Sequence, residues 1–119
     1  MSSAAETRFR IDAQPTGRRI KVIDLDAATN ADVAQLVDDV PDADLVVMIV
    51  SAGGDARAAA PIGEACSTRR VMTHTIVVRA DTVGDQALSR TLAQVRPWSL
   101  MVVVVNGDDY VEDVLRSFR

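Results

Sequence analysis

Four apolar runs punctuate this chain, and each gives way to a short polar turn that carries an aspartate. The runs are Ile20–Leu25, Leu45–Val50, Thr75–Val78 and Leu100–Val105. Their turns are Asp24-Leu25-Asp26, Ser51-Ala52-Gly53-Gly54-Asp55, Arg79-Ala80-Asp81-Thr82 and Asn106-Gly107-Asp108-Asp109. Leu45–Val50 and Leu100–Val105 show no alternation with polar residues, the pattern of strands covered on both faces. Both are therefore expected to be fully buried. Between the runs, apolar residues recur at three- and four-residue spacing, which predicts helices.

Taken in order, residues 1–17 have little period and read as an arm, with Phe9-Arg10-Ile11-Asp12 alternating well enough for an edge strand. Residues 18–119 read as one α/β domain. The first strand is Arg19–Leu25. Asn30 then suits the N-cap of a helix with Val33, Leu36, Val37 and Val40 on one face, stopped by Pro41. A second helix is expected from Ala59 or Ala60, because Pro61 fits only its first turn, with Ala58, Ile62, Ala65 and Cys66 inward. The third strand is Met72–Val78. A third helix, Gly84–Val95, turns Ala87, Leu88, Thr91, Leu92 and Val95 to the core, with Thr82 and Asp85 spaced as a capping box. Trp98 is expected to pack over the end of that helix. The last helix, Asp108–Phe118, buries Val111, Val114, Leu115 and Phe118.

Four β-α repeats predict a small three-layer α/β/α sandwich, flavodoxin-like or Rossmann-like, with a mainly parallel sheet of four strands and a fifth if the arm adds one. Crossovers between parallel strands are right-handed. Strands this apolar need helices on both faces, which predicts one reversal of winding, the order 2-1-3-4, and a crevice between the ends of the first and third strands. All four polar turns would emerge at that carboxyl edge.

Composition narrows the function classes. A chain of 119 residues buries roughly two-thirds of its unfolded surface and needs no staple. The one cysteine, Cys66, leaves no intramolecular disulfide and no cysteine-built zinc site. A net charge of −4 and an aromatic content of 3% argue against a nucleic-acid surface, which needs clustered cations and stacking platforms. No apolar run approaches the roughly 20 residues that span a bilayer, and the first ten residues lack an apolar signal core, so a cytoplasmic protein is expected. Two open sheet edges leave room for a homodimer.

Among the turns, Ser51-Ala52-Gly53-Gly54-Asp55-Ala56-Arg57 leads. Two glycines let the backbone amides curl into a nest, and the following helix N-terminus adds partial positive charge, a seat for phosphate or carboxylate. Asp55 opposes an anion there and Arg57 offsets it. The candidate ligand residues are Ser51, Gly53, Gly54, Asp55 and Arg57, with Asp81 and Asn106 from neighbouring turns. Ala43-Asp44-Leu45-Val46-Val47, the glycine turn, Ala59-Ala60-Pro61-Ile62 and Thr75-Ile76-Val77-Val78 together resemble the nucleotide-binding domain of the tubulin-like bacterial division GTPases. The resemblance runs loosely on to Val102–Asn106 and implies a Rossmann-like fold with phosphates held at the glycine turn. The family's longer loop is reduced here to Gly53-Gly54-Asp55-Ala56-Arg57, and its catalytic second domain is absent, so GTP hydrolysis is not implied.

A second constellation is acidic. Asp24-Leu25-Asp26, Ser51 and Gly107-Asp108-Asp109 resemble the layout of haloacid-dehalogenase-like phosphohydrolases. That resemblance implies Asp24 as nucleophile, Asp26 as general acid, and Asp24, Asp26 and Asp108 around Mg²⁺. The chain departs from the pattern at Ala28, where that family has a hydroxyl, and supplies no lysine after its last strand, since Lys21 is the only one. A receiver domain wants that same lysine. Cys66 sits on an apolar helical stripe and His74 at the start of a strand, which gives both structural roles. No lysine follows a glycine run, so there is no P-loop, and Ser51 lacks the Gly-x-Ser-x-Gly elbow. The sequence therefore predicts a binding or regulatory module without catalysis or cofactor, whose partner is a phosphorylated small molecule or a protein. A Mg²⁺-dependent phosphohydrolase and a nucleotide-binding domain are the alternatives.

Overall fold

A computed structural model describes residues 19–27, 30–39, 43–107 and 109–118. The arm at 1–17, the helix stop at Val40-Pro41, and Asp108 lie outside the described residues. The elements alternate as β1 (Ile20–Asp24), α1 (Asn30–Asp39), β2 (Leu45–Ser51), α2 (Ala59–Thr68), β3 (Met72–Val78), α3 (Asp85–Val95), β4 (Met101–Val104) and α4 (Val111–Ser117). Short 3₁₀ turns cover Ala80–Thr82 and Arg96–Trp98. All strand pairs are parallel, Ile20 opposite Leu45, Leu45 opposite Met72, and His74 opposite Met101. This is the α/β sandwich with a four-stranded parallel sheet that the periodicity predicts.

The strand order is not the predicted one. The sheet runs β1-β2-β3-β4 without a reversal. Right-handed crossovers that always step the same way put their helices on one face. Leu36 of α1, Ile62 and Cys66 of α2, and Val95 of α3 accordingly pack with Ile23, Val46, Met48, Val50 and Val77 in a single cluster. The other face is covered by α4, whose Val111 and Leu115, with Phe118 just beyond, meet Val22, Leu45, Val47, Ile49, Ile76 and Val78. Three layers form, but there is no switch point and no crevice between β1 and β3, because β2 lies between them.

Position in this order decides burial. Strand β2 has a neighbour on each side, and Leu45 through Val50 are all at most 1% exposed. Each such side chain contributes roughly 1.5–3 kcal/mol, so β2 is the largest continuous source of stability. Strand β4, equally apolar, is an edge among the described strands. Met101 is 41% and Val104 44% exposed, which corrects the expectation that Leu100–Val105 is fully buried. Other local expectations shift too. Thr82 Oγ1 donates to Arg79 O at 2.7 Å, closing the 3₁₀ turn, and Gly84, without a side-chain cap, begins α3. The Thr82–Asp85 capping box is therefore not formed.

Trp98 packs against α2 rather than simply closing α3. A Cβ built on Gly63 would stand 2.4 Å from Trp98 Cβ, so the glycine is what lets the indole rest on the helix backbone. Gly63→Ala gains about 1 kcal/mol in helix propensity but forces a rigid Cβ–Cβ overlap, and overpacking costs about 1–3 kcal/mol. The expected net result is a lower Tm by differential scanning fluorimetry. An unchanged or raised Tm contradicts this packing.

Candidate functional site

The predicted site residues lie at the carboxyl ends of the strands, and the structure draws three of these ends together. Asp26, one turn beyond β1, accepts hydrogen bonds at Oδ2 from Ser51 N at 3.0 Å and Ser51 Oγ at 2.7 Å. Its Oδ1 accepts from Ser51 N at 3.3 Å. Arg79 Nη1, from the end of β3, donates to the same Ser51 Oγ at 2.7 Å. Ser51 is thus a bridge between a carboxylate and a guanidinium, and the three side chains clasp β1, β2 and β3 across their ends.

Two backbone features make the clasp possible. A Cβ on Gly54 would lie 2.7 Å from Asp26 Oδ1 and 2.9 Å from Ser51 O, so only glycine lets the turn close over the carboxylate. Arg79 takes φ 56°, ψ 39°, a left-handed conformation that costs a non-glycine residue about 1–2 kcal/mol. It does so where its side chain reaches Ser51. Asp24 is fully buried, on the α4 face by its alternation with Val22, and its Oδ1 accepts from Asp26 N at 3.0 Å. Asp24 and Asp26 thus direct oxygens to the protein's own backbone. Among the described residues no group of three or more His, Cys, Asp or Glu side chains gathers around a common point.

The glycine turn is equally self-contained. Gly53 N donates to Thr91 Oγ1 at 2.8 Å, Gly54 N to Ser51 O at 2.8 Å, Ala56 N to Gln94 Oε1 at 3.2 Å, and Arg57 N to Asp55 Oδ1 at 3.0 Å. These amides face internal acceptors instead of converging on an anion. Gly53, at φ 80°, sets the curl. Arg57 holds Asp55 through Nε at 2.8 Å and Nη2 at 2.7 Å, and this side-chain hydrogen bond keeps the exposed carboxyl below its ordinary pKa.

Thr91 and Gln94 tie the turn to α3, and beside those ties a cleft of about 440 Å³ opens. Gly53, Gly54 and Asp55 line one wall, and Ala87, Arg90, Thr91 and Gln94 line the other. Asp81 and Asn106 are exposed on the turns after β3 and β4, outside both the clasp and the cleft. Arg90, Thr91 and Gln94 were not among the sequence's ligand candidates, while Arg79 stands at a strand end where an arginine can offset the edge carboxylates. Helical spacing marks Thr91 only as inward-facing, and nothing local sets Arg90 and Gln94 apart from other exposed helix positions.

Cys66 and His74 are separated by the sheet. Cys66 lies in the cluster under α2, and burial pushes its thiol above the ordinary range. His74 faces α4, its ring edge-on to Phe118 at 4.7 Å. No helix among the described residues is long and apolar enough to cross a membrane. No family model, curated protein or solved structure matches the chain.

Ser51→Ala deletes both the bond to Asp26 and the bond from Arg79. Hydrogen bonds to charged groups contribute about 1.5–3 kcal/mol each, and partial exposure reduces this, so a loss of about 2 kcal/mol is expected. Urea denaturation measures it, and a variant as stable as the wild type contradicts the clasp. Cys66, buried and neutral, should react with a thiol reagent at pH 7 only as fast as the protein opens. Labelling as rapid as that of free cysteine contradicts its placement.

Proposed function

We propose that this protein is a small binding or regulatory module, without catalysis, that takes a phosphorylated small molecule in the cleft between the Gly53–Gly54 turn and α3. The observation that carries the reading is the composition of that cleft. Its volume of about 440 Å³ falls in the range of small-molecule sites. Glycine on one wall allows close approach to backbone, and Arg90 on the other supplies a guanidinium suited to phosphate oxygens. Asp55, which would repel an anion, is held by Arg57. A larger cleft, about 490 Å³, lies at the opposite edge among Gly63, Arg70, Met72 and Trp98. Ligands of parallel sheets bind at carboxyl ends, which favours the smaller one.

The non-catalytic part of the reading is supported by the hydrogen bonding of Asp24 and Asp26, whose oxygens already accept from Asp26 N and Ser51. A cytoplasmic setting suits the lone, buried thiol of Cys66.

The test is a thermal-shift panel of phosphate esters and nucleotides on wild type and Arg90→Ala. A ligand at about 100 times its Kd adds about 2.7 kcal/mol, a rise in Tm on the order of 10 °C for a domain of this size. Arg90→Ala should weaken binding by at least about tenfold, the loss of a charge-assisted bond. A flat response of the wild type across the panel, or full binding by Arg90→Ala, overturns the reading. So does Mg²⁺-dependent release of phosphate from an aryl phosphate that disappears in Asp24→Asn.

A further inference from the structure

The large apolar residues the fold leaves outside lie on or next to β4. Among the described residues the exposed large hydrophobics are Met72, Leu100, Met101, Val104 and Tyr110. Leu100, 72% exposed, immediately precedes β4, and its N donates to Thr73 O at 2.7 Å, which sets it beside Met72. Met101 and Val104 are the ends of β4, and Tyr110 follows on the turn into α4. By strand alternation Met101 faces the α4 side with Val103 and Val105, and Val104 the other side with Val102, so exposed apolar side chains stand on both faces of this strand.

The backbone of β4 has a free side as well. No described strand pairs with its outer edge. Val105 N donates to Val77 O at 2.8 Å, and Val105 O accepts from Ala80 N at 3.1 Å, so both polar groups of Val105 face β3. Backbone direction alternates along a strand. Met101 and Val103 therefore also face β3, while Val102 and Val104 direct N–H and C=O outward.

The two sheet edges are built differently. The β1 edge carries Lys21 and is flanked by Arg19 and Asp26, the charged residues that discourage edge pairing. From Pro97 to Gly107 there is no charged residue, in a chain where a quarter of residues are charged. With a net charge of −4, two copies repel one another overall, and this neutral strip is where they approach at least electrostatic cost.

We propose that β4 pairs antiparallel with β4 of a second copy about a two-fold axis through Val103, making one continuous eight-stranded sheet. The parity fits. About that axis Val102 lies opposite the partner's Val104, and Val104 opposite the partner's Val102. These are the residues whose groups point outward, so each pair exchanges two hydrogen bonds. Val103 meets its own copy in the non-hydrogen-bonded position. The same axis brings Leu100 opposite the partner's Asn106, so the apolar end of each β4 meets the turn that leads to the other's Tyr110.

Sedimentation of the full chain from about 1 to about 100 µM should give twice the 12.8 kDa chain mass. Val104→Lys places a cation on the paired strand, and Leu100→Glu adds repulsion at a position too exposed to disturb folding. Each should weaken association at least about tenfold, with circular dichroism unchanged. Val103→Cys should give a covalent dimer on oxidation, since facing residues at a non-hydrogen-bonded position have Cα atoms about 4.5 Å apart. The wild type, with only buried Cys66, should not. A wild type that stays at the chain mass throughout, variants that associate as well as wild type, or Val103→Cys that does not cross-link each overturns the proposal.

Discussion

Each crossover in this sheet steps in the same direction, and most of the molecule's character follows from that. Because β-α-β connections are right-handed, the order β1-β2-β3-β4 places α1, α2 and α3 side by side on one face. The opposite face is left to α4, whose seven residues, with Phe118, seal a cluster drawn from β1, β2 and β3. A reversal of winding would have shared the helices between the faces and opened a crevice where neighbouring loops diverge. Without it, the carboxyl edge closes laterally.

That closure explains the form of the polar cluster. The ends of β1, β2 and β3 are immediate neighbours, so Asp26, Ser51 and Arg79 meet across about two strand spacings and satisfy one another. The left-handed Arg79 and the contact of Gly54 with Asp26 are what such closeness requires of the backbone. The open space moves aside, to the gap between the glycine turn and α3. Thr91 and Gln94 fix the width of that gap by bonding to the turn's amides. The phosphate seat that glycine turns often make is therefore occupied by side chains of α3, and any ligand must approach their flank.

Much of this was legible in the residues, for identifiable reasons. Strand and helix positions follow from local spacing: Leu45–Val50 reads as a buried strand and is one, and the placement of Pro61 fixes the start of α2 at Ala59. The meeting of Asp26 and Ser51 follows from any parallel arrangement that makes β1 and β2 adjacent. The order of the first two strands differs from 2-1-3-4 although a signal for it is present: Lys21 interrupts β1, which suits an edge, and the unbroken Leu45–Val50 suits the inner position that β2 takes. Arg79 is legible as an arginine at the end of the third strand, near the edge carboxylates, but the left-handed backbone that brings it to Ser51 is not. Arg90 and Gln94 acquire meaning only from the helix face that the crossovers turn toward the glycine loop. Gly63 reads as a weak point of α2 until Trp98 is seen resting on it.

The one strand whose pattern and environment disagree is β4. Four consecutive valines and a preceding Leu-Met pair compose an interior strand, yet Met101 and Val104 stand more than two-fifths exposed. Periodicity reports the surroundings that side chains require, and a single chain does not have to supply all of them. Strand β1, at the other edge, carries Lys21 within it and Arg19 and Asp26 beside it, so it bears the marks of an edge in its own sequence. The contrast between the two edges is therefore information rather than noise. The β1 side is written for water, and the β4 side is written for another strand.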